Sequence, residues 1–138
     1  AGCRVGYGVA QKELIDALGL TKLVYNLNIL SQNAALAAMD YADDILAHNI
    51  PPTLAARQYF MDALKDVPGL TVYPSSTNFV LVRVPDGPAM VKALHDADIC
   101  VRSYKAADLK NCLRITITTD DVVRKVVAVM TEEAKKYA

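Results

Sequence analysis

The segment Asn78-Phe79-Val80-Leu81-Val82-Arg83-Val84 decides the fold. Its alternation places Phe79 and Leu81 on one face of a strand and Val80, Val82 and Val84 on the other. Apolar residues on both faces predict a central strand. Outward from it, Leu70–Tyr73 is short, β-branched and aromatic, and Pro85-Asp86-Gly87-Pro88 is a turn. Ala89–Ala97 follows as a helix. Ile99–Ser103 and Leu113–Ile117 are strands joined by a polar loop. Thr119 or Asp120 caps a last helix whose apolar face is Val123, Val126, Val127 and Met130. Asp120 and Asp121 stand at its start and Lys135 and Lys136 near its end, as the helix dipole favours.

The first half of the chain has a helical texture. Residues 4–10 alternate glycine with valine and tyrosine and read as a strand with close backbone neighbours. Leu14, Ile15 and Leu18 mark a helix that Gly19 stops. Leu30–Ala47 is alanine-rich and reads as one long helix, which Pro51-Pro52 must end or kink. A further helical run carries Leu54, Arg57, Phe60, Met61 and Leu64 before the Pro68-Gly69 turn. The expected fold class is therefore α/β, with an α+β small domain: helices followed by a β-β-α-β-β-α sandwich. The boundary falls near Pro68-Gly69, giving parts 1–67 and 68–138.

Composition bounds the function. Fifteen Lys and Arg balance fifteen Asp and Glu in 138 residues, against the basic excess of a nucleic-acid binder. With 53% hydrophobic residues the chain can form a core. No apolar run approaches the roughly 20 residues that cross a bilayer. No signal-peptide pattern opens the chain, since Arg4 and Lys12 bracket only a short glycine-rich segment. The missing initiator Met and a strand-like segment almost at residue 1 hint at truncation. Cys3, Cys100 and Cys112 are odd in number and widely spaced, so neither a disulfide framework nor a zinc site is expected, and a reducing cytosol is the default. His48 and His95 are too scattered for a metal cluster, and no metal is expected.

Arginines are the candidates for chemistry. In Leu113-Arg114-Ile115-Thr116-Ile117, Arg114 and Thr116 share the face opposite Leu113, Ile115 and Ile117. Arg102 alternates with Val101. If both strands belong to one sheet, two guanidinium groups meet one cleft, and a planar fork grips carboxylate or phosphate bidentately. On pattern alone, two solvated arginines on an exposed face are the plainer account. Arg4 is a phosphate contact or a surface arginine at a frayed terminus, and Asn78 a site residue or a strand-start asparagine. Tyr25, Asn26 and Asn28 are explained equally well by capping. Gly6-Tyr7-Gly8 lacks the third glycine and the later acidic residue of a dinucleotide fingerprint. No Ser/His/Asp or Cys/His arrangement stands out.

Five segments in register resemble the class I/II pyridoxal-phosphate aminotransferases of fold type I. They are Ala1-Gly2-Cys3-Arg4-Val5-Gly6-Tyr7, Ser31-Gln32 opening an alanine-rich helix, Ser76-Thr77-Asn78-Phe79-Val80-Leu81, Val101-Arg102, and Asn111-Cys112-Leu113-Arg114-Ile115-Thr116. The likeness is greatest to the histidinol-phosphate branch and runs through essentially the whole chain. The resemblance implies that the cofactor is pyridoxal 5'-phosphate and that Arg4 binds its phosphate. It implies that Arg114 takes the substrate carboxylate or the phosphate of histidinol phosphate, and that Arg102 assists at the distal phosphate. Asn78 joins them as a substrate-binding candidate. The Schiff-base lysine of the family lies a short way before Arg4, ahead of residue 1. This chain therefore carries no catalytic residue and alone is expected to be inactive. The resemblance further implies a small amino-acid or amino-phosphate substrate, a cytoplasmic homodimer, and no nucleic-acid or membrane partner. Residues 1–67 would end the large domain and include the interdomain helix, and 68–138 would be the small domain. The other readings are a non-catalytic domain binding a small anion or a protein on the same scaffold, and a truncation that persists by self-association. Pro51-Pro52 in the interdomain helix and Thr118, where glycine is common, depart from the family pattern.

Overall fold

The computed structural model describes residues 2–137. They form two compact units that divide between Ala47 and His48.

In the first unit, α1 (Lys12–Thr21) and α2 (Ile29–Asp40) follow an irregular segment. The strand expected over residues 4–10 does not form. Arg4 takes a left-handed backbone (φ 55°), and nothing lies within 4 Å of where a Cβ on Gly6 or Gly8 would stand. Without a neighbouring strand to complete a ladder, a glycine-rich extended segment has no reason to settle into one. Nor does Gly19 stop α1, which continues to Thr21 and is closed by Lys22 N–H donating to the Gly19 carbonyl (3.3 Å). Asn28 caps α2, its Oδ1 accepting from Ser31 N–H at 2.8 Å, so capping accounts for that polar cluster.

The long helix expected from Leu30 breaks at Tyr41 rather than at the prolines. Tyr41 leaves helical geometry (φ −109°, ψ 21°), and α3 (Ala42–Leu64) then runs unbroken through Pro51 and Pro52. Each proline removes one backbone donor. Burial of Ala56, Phe60 and Leu64 further along offsets that loss by roughly 1.5–3 kcal/mol for each large side chain. The same burial is why the units divide within α3, ahead of the Pro68-Gly69 turn: the second half of α3 belongs to the core of the C-terminal unit.

That core is built on a four-stranded antiparallel sheet of order β1-β2-β4-β3, with β1 (Thr71–Val72), β2 (Phe79–Arg83), β3 (Arg102–Ser103) and β4 (Cys112–Thr116). The central strand foreseen from the sequence is β2, which is internal. One of its faces, Val80 and Val82, is fully buried, whereas Phe79 and Leu81 are only half-buried. β3 is shorter than the expected Ile99–Ser103. Ile99 N–H is spent on the Leu94 carbonyl (2.9 Å), closing α4 (Gly87–Asp96), and Asp98 turns the chain with φ 61°. α5 (Asp120–Ala134) packs Val123, Val126, Val127 and Met130 into the core, as its spacing foretold. Leu113 and Ile115 of β4 meet Phe60, Leu64, Met90 and Leu94 there.

Candidate functional site

Antiparallel register fixes which side chains share a face. Leu81 stands opposite Arg114, and Arg102 stands opposite Arg114 on its other side. The row Leu81, Arg114, Arg102 therefore crosses three strands on the sheet face away from the core. Leu113 and Ile115 point the other way and are buried, while Arg114 and Thr116 are exposed. This brings together the two arginines singled out in the sequence.

Like charges directly opposite one another across strands repel. Among the described residues, neither Arg102 nor Arg114 has a carboxylate within salt-bridge distance; the ion pairs lie elsewhere, mostly between neighbours on one helix. Both guanidinium groups lean on aromatic rings instead. Arg114 Cζ lies 5.2 Å from the Phe79 ring centroid and Arg102 Cζ 5.9 Å from that of Tyr104. A ring face supports a cation without using its N–H donors. Two unneutralised guanidinium groups with free donors on one face have the chemistry to hold an anion.

Arg83 lies on the same face, one row along, opposite Cys112. Its donors are engaged: Nε donates to the Tyr73 hydroxyl (3.2 Å), one terminal nitrogen to the Lys110 carbonyl (3.2 Å) and the other to the Asp108 carbonyl (3.1 Å). The tyrosine hydroxyl, first, and the nearby Cys112 hold its pKa above the ordinary arginine value. Asn111, in left-handed backbone (φ 60°), ties the start of β4 to α4: its Oδ1 accepts from Gly87 N–H (3.2 Å) and its Nδ2 donates to the Pro85 carbonyl (3.0 Å). The sequence reading passed over both residues. Period two in Phe79-Val80-Leu81-Val82-Arg83 was the available signal for Arg83; Asn111 was marked only as the start of the Asn111–Thr116 segment, with no role given to it.

Asn78 does not join the arginine row. It is exposed just before β2, where its backbone carbonyl accepts from Ile117 N–H (2.8 Å). With Thr53 and Arg57 it lines a shallow cavity of about 350 Å³ between α3 and the turn before β2. Arg57 donates there to the Thr77 carbonyl (2.7 Å), and its buried Nε has no hydrogen-bond partner. Arg4, in the first unit, is exposed and has no ion pair among the described residues. No cluster of three or more metal-ligating side chains occurs among the described residues, and no helix there is long and apolar enough to cross a membrane.

The family model for aminotransferase class I and II matches residues 1–130. A histidinol-phosphate aminotransferase from Thermoanaerobacter sp. (strain X514) is 39% identical over 120 residues, which cover 86% of this chain and 34% of that protein. A solved structure from Erwinia carotovora atroseptica SCRI1043 superposes with TM-score 0.79 at 29% identity, covering 99% of this chain and 39% of the other. A histidinol-phosphate aminotransferase from Sinorhizobium meliloti, solved in complex with pyridoxal-5'-phosphate, gives TM-score 0.63 at 26% identity over 89% of this chain and 34% of the other. The chain thus spans about a third of the length of the relatives it matches. With that match along nearly its whole length and the helix-then-sheet order it shares with them, the chain belongs to the class I and II aminotransferases.

Proposed function

We propose that this chain is the substrate-orienting C-terminal part of a pyridoxal-phosphate aminotransferase acting on histidinol phosphate or a closely similar amino phosphate. One observation carries the reading: Arg102 and Arg114 stand register-paired on an open sheet face without a carboxylate to neutralise them. A substrate with an anionic group relieves that repulsion and satisfies the free donors. Residues 48–138 would be the small domain, and 2–47 the end of the large one. The first unit is consistent with that place, since Tyr7, Leu23 and Leu36 are 84%, 77% and 65% exposed and need a covering partner.

Arg4 fits a cofactor-phosphate role. It is exposed, unpaired and charged, on a segment whose neighbouring glycines leave space for close approach. When bound, pyridoxal phosphate supplies an electron sink for the substrate's α-carbon. The residues of this chain bind and orient: Arg4 holds a phosphate, and Arg114 with Arg102 fix the substrate anion. The amino acid or amino phosphate and a 2-oxo acid are the partners of the complete enzyme, which we take to be a cytoplasmic homodimer.

A chimera tests the reading. The chain replaces the corresponding C-terminal third of the Thermoanaerobacter relative, and turnover of histidinol phosphate with 2-oxoglutarate is measured. Turnover that falls on Arg114→Ala through a raised KM is expected. A folded, cofactor-loaded chimera that ignores histidinol phosphate, or whose kinetics are untouched by Arg114→Ala, overturns it.

A further inference from the structure

We infer that Arg83 is a positioning residue: by clamping the loop between β3 and β4 it holds Arg102 opposite Arg114. The inference rests on the anion-binding reading above and names a residue that acts on that site without touching the ligand.

The edge strand β3 is two residues long and is held to β4 by only two register pairs, Arg102 with Arg114 and Ser103 with Leu113. Two pairs are too few to fix a strand alone, and the first of them brings two positive charges together. Something outside the ladder must hold it. From Ser103 the chain passes through Tyr104 into a 3-10 turn, Ala107–Leu109, and returns at Cys112. Arg83 reaches the end of that turn. Its two terminal nitrogens donate to the Asp108 and Lys110 carbonyls, among the carbonyls a helical end leaves unsatisfied. Its Nε donates to the Tyr73 hydroxyl, which anchors the guanidinium from the side of β1. One planar group thus ties β1, β2 and the β3–β4 loop. Asn111 fastens the far end of the same loop to Gly87 and Pro85. Ahead of both fastenings, between β3 and the clamped turn, lies Tyr104, whose ring supports Arg102. Releasing the Arg83 clamp frees the loop, and with it the ring and the edge strand that present Arg102. Lysine cannot substitute, because one ammonium cannot span two carbonyls and a phenol in a plane.

The test uses the 138-residue chain, titrated with inorganic phosphate while the arginine Nε–H resonances are followed by NMR. In the wild type, Arg102 and Arg114 respond together. Arg83→Met is expected to weaken phosphate binding about fivefold, within the range of couplings inside one hydrogen-bonded network. It is also expected to abolish the Arg102 side-chain response while keeping that of Arg114, and to speed backbone amide exchange at Arg102, the hydrogen-bonded partner of Arg114, but not at Val82. Arg83→Lys behaves like Arg83→Met. In an Arg102→Ala background, Arg83→Met has no further effect on affinity. An unchanged Arg102 response in Arg83→Met overturns the inference, and so does an equal loss of affinity in the two backgrounds. If Arg114→Ala leaves phosphate binding as it is in the wild type, the anion-binding reading itself falls, and this inference with it.

Discussion

Leu113 and Arg114 are neighbours in the chain and opposites in the sheet, so truncating each to alanine separates a folding role from a binding role. Leu113 is fully buried among Phe60, Leu64, Met90 and Ile115. Leu113→Ala removes a packed side chain and leaves a cavity, which costs about 3–5 kcal/mol. Arg114 is exposed and has two main dependencies. Its contact with the Phe79 ring stabilises by about 0.5–1 kcal/mol at a solvent-exposed site. Its position opposite Arg102 destabilises by about 0.2–1 kcal/mol. The two nearly cancel, so Arg114→Ala should change stability by less than about 0.5 kcal/mol. The same change in a complete enzyme should weaken productive substrate binding by about 2–5 kcal/mol, as when one partner of a buried charge pair is lost. The assay is urea unfolding read by hydrogen exchange along the β2–β4 ladder, which reports on the C-terminal unit alone. A large loss of stability in Arg114→Ala would refute the face assignment, as would a neutral Leu113→Ala.

Three further outcomes are expected. Gly69 has φ +80°, and a Cβ there would stand 2.8 Å from Pro85 Cγ, so Gly69→Ala should destabilise the C-terminal unit by about 1–3 kcal/mol in the same unfolding experiment. The Asp121 carboxyl is held below its ordinary value of 3.8 by the Thr119 hydroxyl first and the Val122 N–H next. A depressed folded pKa stabilises above 3.8 and is lost as pH falls through the lowered value. The thermal midpoint of Asp121→Asn should therefore vary less with pH below about 4 than that of the wild type. Incubated with pyridoxal phosphate and reduced with borohydride, the chain alone should yield no stoichiometric pyridoxyl-lysine by mass spectrometry and no transamination, and a single specifically labelled lysine with turnover would refute this.

The second half of the fold was largely legible because its elements are short, strongly patterned and mutually consistent. Leu113–Ile117 and the valine stripe of the last helix each announced both their type and their buried face, whereas Phe79–Val84 announced a central strand but not that Val80 and Val82 are its core face. The first half misled where local signals lacked a tertiary partner. Gly6 and Gly8 looked like a strand that nothing pairs, and Gly19 looked like a stop that α1 passes. Pro51-Pro52 looked decisive until the burial of Phe60 and Leu64 outweighed two missing donors. For the site, strand period gave the direction of Arg114, but register was needed to set Arg102 opposite it. Asn78 shared a motif with the site yet lies in a separate cavity. The Arg83 clamp was hidden because it joins residues far apart in the chain.

The proportions of the sheet carry one more consequence. Its inner strands have five residues each, while both edges, β1 and β3, have two. An edge of two residues offers almost no row of unpaired amides and carbonyls to a passing extended chain, and one of the two edges presents an arginine. The sheet is thus a poor template for end-on growth into fibrils. Any self-adhesion of this polypeptide should come through the greasy helices of its first unit, as amorphous or small discrete clusters without added β signal, rather than through strand-by-strand polymerisation.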